Sequence, residues 1–249
     1  MLIDTHCHLE EYENIDAIVD KMKDGLLITA GINQKTNEQV LELVKKYKNV
    51  YGVIGIQPEE VAQATLEDLD WIEKHLNDEK IVGIGEIGLD YHYGKETKEK
   101  QKEFFKKQLL LAKKYQKTVV IHSRDAAEDT YTILEELSMH DTKMVLHCYS
   151  SSASMAKQFL KFPMKFGIGG VITFKNAVKL REVVEKLPLE SFLLETDSPY
   201  LTPEPYRGQK NEPANALFVA QKIAEIKGIS LEEVLQVTSL SASQWFALV

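Results

Sequence analysis

Cysteine is scarce in this 249-residue sequence, which has only Cys7 and Cys148 and no Cys-x-x-Cys pair. A disulfide framework, a structural zinc ribbon and a thioredoxin-like redox site are therefore not indicated. Each cysteine directly neighbours a histidine. This usage best fits a reducing compartment, and we expect a cytoplasmic protein.

Long apolar runs and an excess of basic charge are also missing. No run approaches the ~20 residues of a membrane helix, and Asp4, His6 and His8 interrupt the first stretch where the apolar part of a secretory signal would lie. We therefore expect no membrane partner. The formal net charge of −8 disfavours a protein that coats nucleic acid through a broad basic surface. It leaves room for a phosphate-bearing substrate held locally by bound cations.

Several common catalytic motifs are absent. The sequence contains no G-x-S-x-G elbow, no P-loop and no H-E-x-x-H, so nucleophilic serine or cysteine catalysis has little support. Residues 83–88 match G-x-G-x-x-G, but a dinucleotide fingerprint should open a helix directly, and Glu86 in its middle would oppose a pyrophosphate. Glycines that flank a carboxylate at a strand end instead let the backbone approach a site closely.

What is present is a regular alternation of short apolar stretches with amphipathic ones. Strands are predicted at Leu2–Thr5, Leu26–Ala30, Val50–Ile54, Ile81–Ile84, Thr118–Ile121, Lys143–Leu146, Lys165–Ile168 and Ser191–Leu194. Helices are predicted at Lys35–Tyr47, Leu66–Leu76, Lys98–Tyr115, Asp125–Leu137, Met155–Lys161, Ala177–Leu187, Glu212–Lys227 and Leu231–Leu248. Apolar strands alternating with helices are typical of a parallel sheet buried on both faces. Eight such units in about 250 residues predict a single-domain α/β protein, a (β/α)8 TIM barrel over residues 1–249.

Six potential metal ligands lie where the predicted strands end: His6, His8, Glu86, His122, His147 and Asp197. Because side chains alternate along a strand, His6 and His8 point the same way and Cys7 points the other way. Each of these residues, considered alone, could have a purely structural role, such as that of a hydrogen-bonded core histidine or a surface glutamate in a turn. Barrel enzymes place their chemistry at the carboxyl ends of the strands, so the repetition of imidazole and carboxylate predicts a metal-dependent active site.

Two further residues near these strand ends are candidate substrate contacts. Arg124 follows His122 and would lie near the mouth of the site, where it could contact an anion or form a simple surface salt bridge. His92 lies shortly after Glu86 and could touch the substrate. A glutamate placed like Glu86 can bridge two metals through its two oxygens.

Together these motifs resemble those of the TatD-type metal-dependent deoxyribonucleases, within the amidohydrolase-like barrel superfamily. The resemblance runs through 4–8, 85–91, 121–124, 146–150, 195–201, 207–208 and 211–213. It implies one metal held by His6, His8, Glu86 and Asp197, and a second held by Glu86, His122 and His147. It also implies a nuclease that uses two divalent cations, Mg²⁺ or Mn²⁺ with Zn²⁺ as an alternative, to hydrolyse single-stranded DNA or strand ends. We expect Asp197 to accept a proton from the attacking water and the chain to be a monomer.

The chain departs from that family pattern after the third strand. The family usually has Gly-x-His-Pro-His there, whereas this sequence has Gln57 and Glu59 at the two histidine positions. The first histidine is associated with positioning a substrate phosphate. Gln57 can still donate a hydrogen bond, but Glu59 adds negative charge. Arg124 and Arg207 are further predicted phosphate contacts.

Two other functions remain open at this point. The first is an amide, ester or lactone hydrolase on the same barrel, although the carboxylated lysine that often bridges metals in such enzymes has no evident counterpart. The second is a nucleic-acid-binding homologue with weakened catalysis, which the Gln57 substitution would permit.

Overall fold

The computed structural model describes residues 1–248 and contains one eight-stranded parallel sheet in chain order. Its strands are β1 (Ile3–Cys7), β2 (Leu26–Ala30), β3 (Val50–Ile54), β4 (Ile81–Asp90), β5 (Thr118–Arg124), β6 (Met144–Leu146), β7 (Met164–Ile168) and β8 (Phe192–Leu194). The side chain of Thr5 donates a hydrogen bond to the Leu194 carbonyl at 3.0 Å and so links β1 to β8. The sheet is therefore a nearly closed barrel, which confirms the predicted (β/α)8 fold.

Helices follow the strands around the barrel. They are α1 (Ile15–Asp20), α2 (Gln34–Lys46), α3 (Leu66–His75), α4 (Lys98–Tyr115), α5 (Ala127–Glu136), α6 (Ala153–Phe159), α7 (Val178–Lys186), α8 (Ala216–Lys227) and α9 (Leu231–Phe246). Only the short α1 was not predicted from the sequence. None of the helices in residues 1–248 is long and apolar enough to cross a membrane. The predicted single domain also includes Val249, which lies outside the described residues, and the domain assignment stays a prediction.

The barrel interior is apolar and sealed at one end. Alternate strand residues point inward and form one cluster with two residues of α9: Ile3, Ile28, Ala30, Tyr51, Val53, Val120, Val145, Leu193, Ala242 and Phe246. Trp245 of α9 accepts a hydrogen bond from the Thr118 side chain and donates one to the Met144 carbonyl. Because Thr118 and Met144 begin their strands, α9 covers the amino-terminal end of the barrel. The carboxyl end is left for a site.

Bulges in β1 and β4 change which face of each strand points inward. Between Asp4 and Cys7, β1 advances three residues while β2 advances from Leu27 to Thr29, so one extra residue is inserted. An extra residue reverses the side-chain alternation beyond it. Ile3 faces the barrel interior, and without the bulge Cys7 would do so too; instead Cys7 packs in the core outside the barrel. His6 and His8 are thereby turned toward the barrel axis.

A bulge of the same kind occurs in β4. Ile84 pairs with Val119 and Ile87 pairs with Ile121, so three steps along β4 match two along β5. Ile84 and Ile87 both pack in the core between the sheet and the helices. The residue between them that is brought to the inner face is Glu86. Two of the eight strands therefore need an inserted residue to present their metal-ligand candidates.

Hydrogen bonds beyond the regular strands complete the junction between the first and last strands. The Asp197 amide donates to the His6 carbonyl at 2.9 Å, and the His8 amide donates to the Ser198 carbonyl at 2.8 Å. Each of these bonds involves the backbone of a predicted metal ligand. The junction of β1 and β8 therefore fixes the positions of three predicted ligands, His6, His8 and Asp197, relative to one another.

Candidate metal centre

The six predicted ligands converge at the carboxyl end of the barrel, and the Glu86 carboxylate lies among them. One of its oxygens, Oε1, lies 2.8 Å from His122 Nδ1 and 3.0 Å from His147 Nε2. The two imidazole nitrogens are themselves 3.2 Å apart. One carboxylate oxygen and two imidazole nitrogens thus form a compact group on the β5–β6 side.

The second oxygen of Glu86 faces a different group. Oε2 lies 3.4 Å from His6 Nε2 and 3.7 Å from His8 Nε2. Oδ1 of Asp197 completes this group at 3.4 Å from His8 Nε2 and 3.7 Å from His6 Nε2. These distances are longer than those of typical hydrogen bonds, so there is space between the four side chains.

The unsatisfied atoms of the second group fit a divalent cation. Nε2 of His6 is buried and has no hydrogen-bond partner among the described residues. A buried polar atom without a partner is costly unless something binds it. The His8 ring is oriented by Nδ1, which lies 3.1 Å from the Ala30 carbonyl, and this contact leaves Nε2 free to act as a ligand. Imidazole and carboxylate are the ligand types that divalent metals prefer.

Burial and neighbouring charges shift the pKa values of the site residues, so that some are neutral and others are charged. Burial, with repulsion from His147, lowers the pKa of His6 to about 4, so this imidazole is neutral and its lone pair is available. Burial would raise the pKa of Glu86, but the His147 and His122 imidazoles hold it well below its ordinary value. Burial also opposes a charge on His122, yet Asp90 and Glu86 outweigh it and raise the pKa to about 10. A cation bound at His122 takes the place of that proton.

Glycines on both sides of Glu86 permit the close packing of β4 on β5. A Cβ at Gly85 would lie 2.6 Å from the Val120 Cβ, and one at Gly88 would lie 2.0 Å from the His122 carbonyl oxygen. Both glycines have positive φ angles, +155° and +141°, that other residues rarely adopt. The match of residues 83–88 to a dinucleotide fingerprint is thus a consequence of packing beside the site.

Asp90 has a role that its position in the sequence did not indicate. This residue ends β4 and is fully buried, and its Oδ2 lies 2.9 Å from His122 Nε2. Its other oxygen accepts hydrogen bonds from the backbone amides of His92 and Tyr93, at 2.8 and 2.7 Å. A carboxylate that holds one nitrogen of a ligating imidazole leaves the other nitrogen to bind metal. Asp90 is therefore a positioning residue for His122.

We expect Asp90→Asn to weaken cation binding by about 10- to 100-fold, as is usual for partners of ligating histidines. The amide NH₂ would face either the His122 N–H or the two backbone amides, and neither arrangement satisfies all donors. Titration of the metal-free protein with Mn²⁺ measures the affinity. Asp16→Asn, which removes an exposed acidic partner of Lys46, is the matched control. Equal affinities in the two variants would remove the positioning role.

The predicted substrate contacts fall into two groups. Gln57 and Arg124 line a cleft of about 1000 Å³ above the six ligands. Nε2 of Gln57 lies 3.5 Å from Glu86 Oε1 and 3.4 Å from Glu59 Oε1. His92 and Arg207 lie outside the cleft lining: Nδ1 of His92 is 3.4 Å from Asp125 Oδ2, and the Arg207 guanidinium lies 4.1 Å from the centre of the Phe174 ring. Substrate binding by any of the four stays a prediction.

A (β/α)8 barrel with carboxylates and imidazoles gathered at the carboxyl ends of its strands defines a metal-dependent hydrolase. Residues 3–247 match the family described as TatD related DNase. The chain belongs to this family, as its motifs predicted.

Relatives and solved structures agree with this assignment. The chain is 39% identical to the uncharacterized metal-dependent hydrolase YabD of Bacillus subtilis over the full length of both. It is 35% identical to YcfH of Escherichia coli, another uncharacterized metal-dependent hydrolase, over 98% of this chain and 95% of that one. The crystal structure of the TatD homologue YjjV from Escherichia coli superposes with a TM-score of 0.94 at 30% identity, covering 100% of this chain and 98% of that one. A dihydroorotase of Campylobacter jejuni shares the fold alone, with a TM-score of 0.60 at 14% identity over 100% and 83% of the two chains.

Proposed function

We propose that the protein hydrolyses phosphodiester bonds of DNA, acting on single strands or strand ends with two divalent cations per subunit. The observation that carries this proposal is the division of the Glu86 carboxylate between two ligand groups, His122 with His147 and His6 with His8. A carboxylate shared in this way supports two adjacent cations rather than one. The family to which the chain belongs supports DNA as the substrate.

Asp197 and Glu86 have different proposed roles in catalysis. When bound, two divalent cations supply an acidified water and stabilise charge on the phosphate and the leaving oxygen. Asp197 lines the cleft and is the group that accepts the proton of the attacking water, while Glu86 fixes the spacing of the two ligand groups. We propose Mg²⁺ or Mn²⁺ as the activating ion, with Zn²⁺ as the alternative that four histidines would also suit.

Two polar residues of the cleft are proposed to hold the substrate phosphate. Arg124 offers a planar guanidinium that can donate two parallel hydrogen bonds to phosphate oxygens. Gln57 offers a neutral amide donor beside Glu86. An acidic chain can accept DNA in this way, because two bound divalent cations outweigh the two carboxylates among the predicted ligands, Glu86 and Asp197.

Cleavage of end-labelled oligonucleotides tests the proposal. We expect the metal-reconstituted protein to cleave single-stranded DNA in Mg²⁺ or Mn²⁺, and to leave amide, ester and lactone substrates unchanged. Chelated protein is the control and should cleave none of them. Turnover of a lactone or an amide without cleavage of DNA would replace the nuclease with the alternative hydrolase. Binding of DNA without cleavage would identify a catalytically weakened homologue.

The compartment and assembly state rest on the sequence. Cys7 and Cys148 are both unpaired, which supports the proposal of a reducing, cytoplasmic setting. The monomeric state stays a prediction.

A further inference from the structure

The charged residues that line the cleft are segregated around its mouth. Three acidic side chains, Glu11, Glu59 and Glu60, come from the loops after β1 and β3. Two basic side chains, Arg124 and Lys179, come from the end of β5 and from α7, which follows β7. We call Glu11, Glu59 and Glu60 the acidic arc, and Arg124 and Lys179 the basic arc. Because the eight strands form a ring in chain order, the two arcs lie on opposite sides of the cleft. A polyanion in the cleft is therefore drawn toward the β5–β7 side.

An exposed aromatic side chain stands at one border of the basic arc. Tyr93 follows β4, lines the cleft and is 60% exposed. The Arg124 guanidinium lies 4.6 Å from the centre of its ring. Tyr200, at the other border, is different, because its hydroxyl donates to Glu11 Oε1 at 2.6 Å and ties it to the acidic arc. Of these two tyrosines, Tyr93 is therefore the one whose ring contacts a basic side chain.

Tyr93 is also held in fixed relation to the metal centre. Its backbone amide donates to Asp90 Oδ1 at 2.7 Å, and the other oxygen of Asp90 lies 2.9 Å from His122 Nε2. One buried carboxylate therefore positions both a metal-ligand candidate and the segment that carries the exposed ring. A group bound on Tyr93 would be placed at a defined distance from the reacting phosphate.

We propose that Tyr93 and Arg124 form a stacking platform for a nucleobase next to the phosphate that is cleaved. Aromatic rings and guanidinium planes both stack on bases, and stacking needs an unpaired base that can leave its own helix. The platform rests on the proposed function and makes it more specific: the substrate is single-stranded nucleic acid that lies along the β5–β7 side. The acidic arc then disfavours any path over the β1–β3 side.

A comparison of two substrates with two variants tests the platform. Each substrate is a single-stranded oligonucleotide with one susceptible phosphodiester, flanked by a normal nucleotide or by an abasic one. We expect Tyr93→Leu to lower kcat/KM on the normal substrate about tenfold, within the range found when base–aromatic stacking is removed. On the abasic substrate, Tyr93→Leu and the unmodified protein should be equal. Tyr93→Phe keeps the ring and should retain the normal rate on both.

Binding provides a second readout that does not require turnover. In Ca²⁺, fluorescence anisotropy of a labelled single strand should show the same weakening for Tyr93→Leu and recovery for Tyr93→Phe. Tyr206→Leu is the matched control, since Tyr206 is an exposed tyrosine that packs on Phe218 and does not line the cleft. It should bind like the unmodified protein.

The outcomes separate the platform from the proposed function. DNA cleavage with an equal effect of Tyr93→Leu on normal and abasic substrates would overturn the platform and leave the nuclease standing. Binding that depends on Tyr93 without any cleavage would overturn the nuclease and support the platform. Absence of both binding and cleavage would overturn both.

Discussion

Replacing Glu86 with glutamine is expected to lower kcat on single-stranded DNA by about a thousandfold, the rate equivalent of ~4 kcal/mol of lost transition-state stabilisation. The amide has one oxygen where the carboxylate has two, and each of these oxygens faces a different ligand group. Both groups lose part of their negative charge in this variant. We therefore expect metal analysis of Glu86→Gln to show a loss of cations from both positions.

The control for this substitution is Glu135→Gln, which makes the same chemical change at an exposed partner of His140. It should keep the full metal content and the full rate. A Glu86→Gln variant with unchanged activity would show that the carboxylate is not the shared ligand, and the two-cation proposal would fail with it.

Asp197→Asn is expected to lower kcat by a factor of about 10² to 10⁴, the usual contribution of a positioned general base. Asparagine keeps the shape of the side chain but cannot accept the proton of the attacking water. Because the Asp197 carboxylate pairs with His8 and His6, at 3.4 and 3.7 Å, cations should be lost from that position and retained at His122 and His147. The metal content therefore distinguishes this variant from Glu86→Gln, although both are nearly inactive.

Asp141→Asn is the matched control for this second substitution. Asp141 is an exposed acidic residue that lies just before β6, at the amino-terminal end of the barrel, and does not line the cleft. Its replacement should leave rate and metal content unchanged. Retention of the full rate by Asp197→Asn would assign the proton acceptor to another group.

The convergence of His122, His147 and Asp197 could be predicted from the sequence because their three strands follow simple alternation. Val120 and Val145 point into the barrel, and His122 and His147 lie two residues further on, toward the open end. Leu193 likewise faces inward, and Asp197 lies four residues beyond it. In these strands an apolar stretch that ends in a polar residue is enough to indicate both the face and the end of the barrel.

The bulged strands could not be predicted in the same way. The period-two pattern indicated that His6 and His8 share a face, but simple alternation from Ile3 would have turned both away from the barrel axis. Glu86 depends likewise on the extra residue between Ile84 and Ile87. A bulge is set by pairing with the neighbouring strand, and the residues of one strand alone do not reveal it.

Asp90 was missed for a related reason. The sequence favoured a strand that ends at Ile84 and a loop after Glu86, whereas β4 continues to pair with β5 as far as Asp90 and Arg124. A carboxylate read as part of a loop gave no signal that it contacts His122. The sequence does not indicate where the side chains of His92 and Arg207 point, because both residues lie in loops.

The junction of β1 and β8 has a consequence for how the protein is made. His6 and His8 are synthesised early, whereas Asp197, whose amide donates to the His6 carbonyl, is synthesised roughly 190 residues later. Protein chains begin to fold while they are still being synthesised. However, β1 cannot contact β8 until β8 has been synthesised. A nascent chain therefore cannot bring the six candidate ligands together until Asp197 has been synthesised.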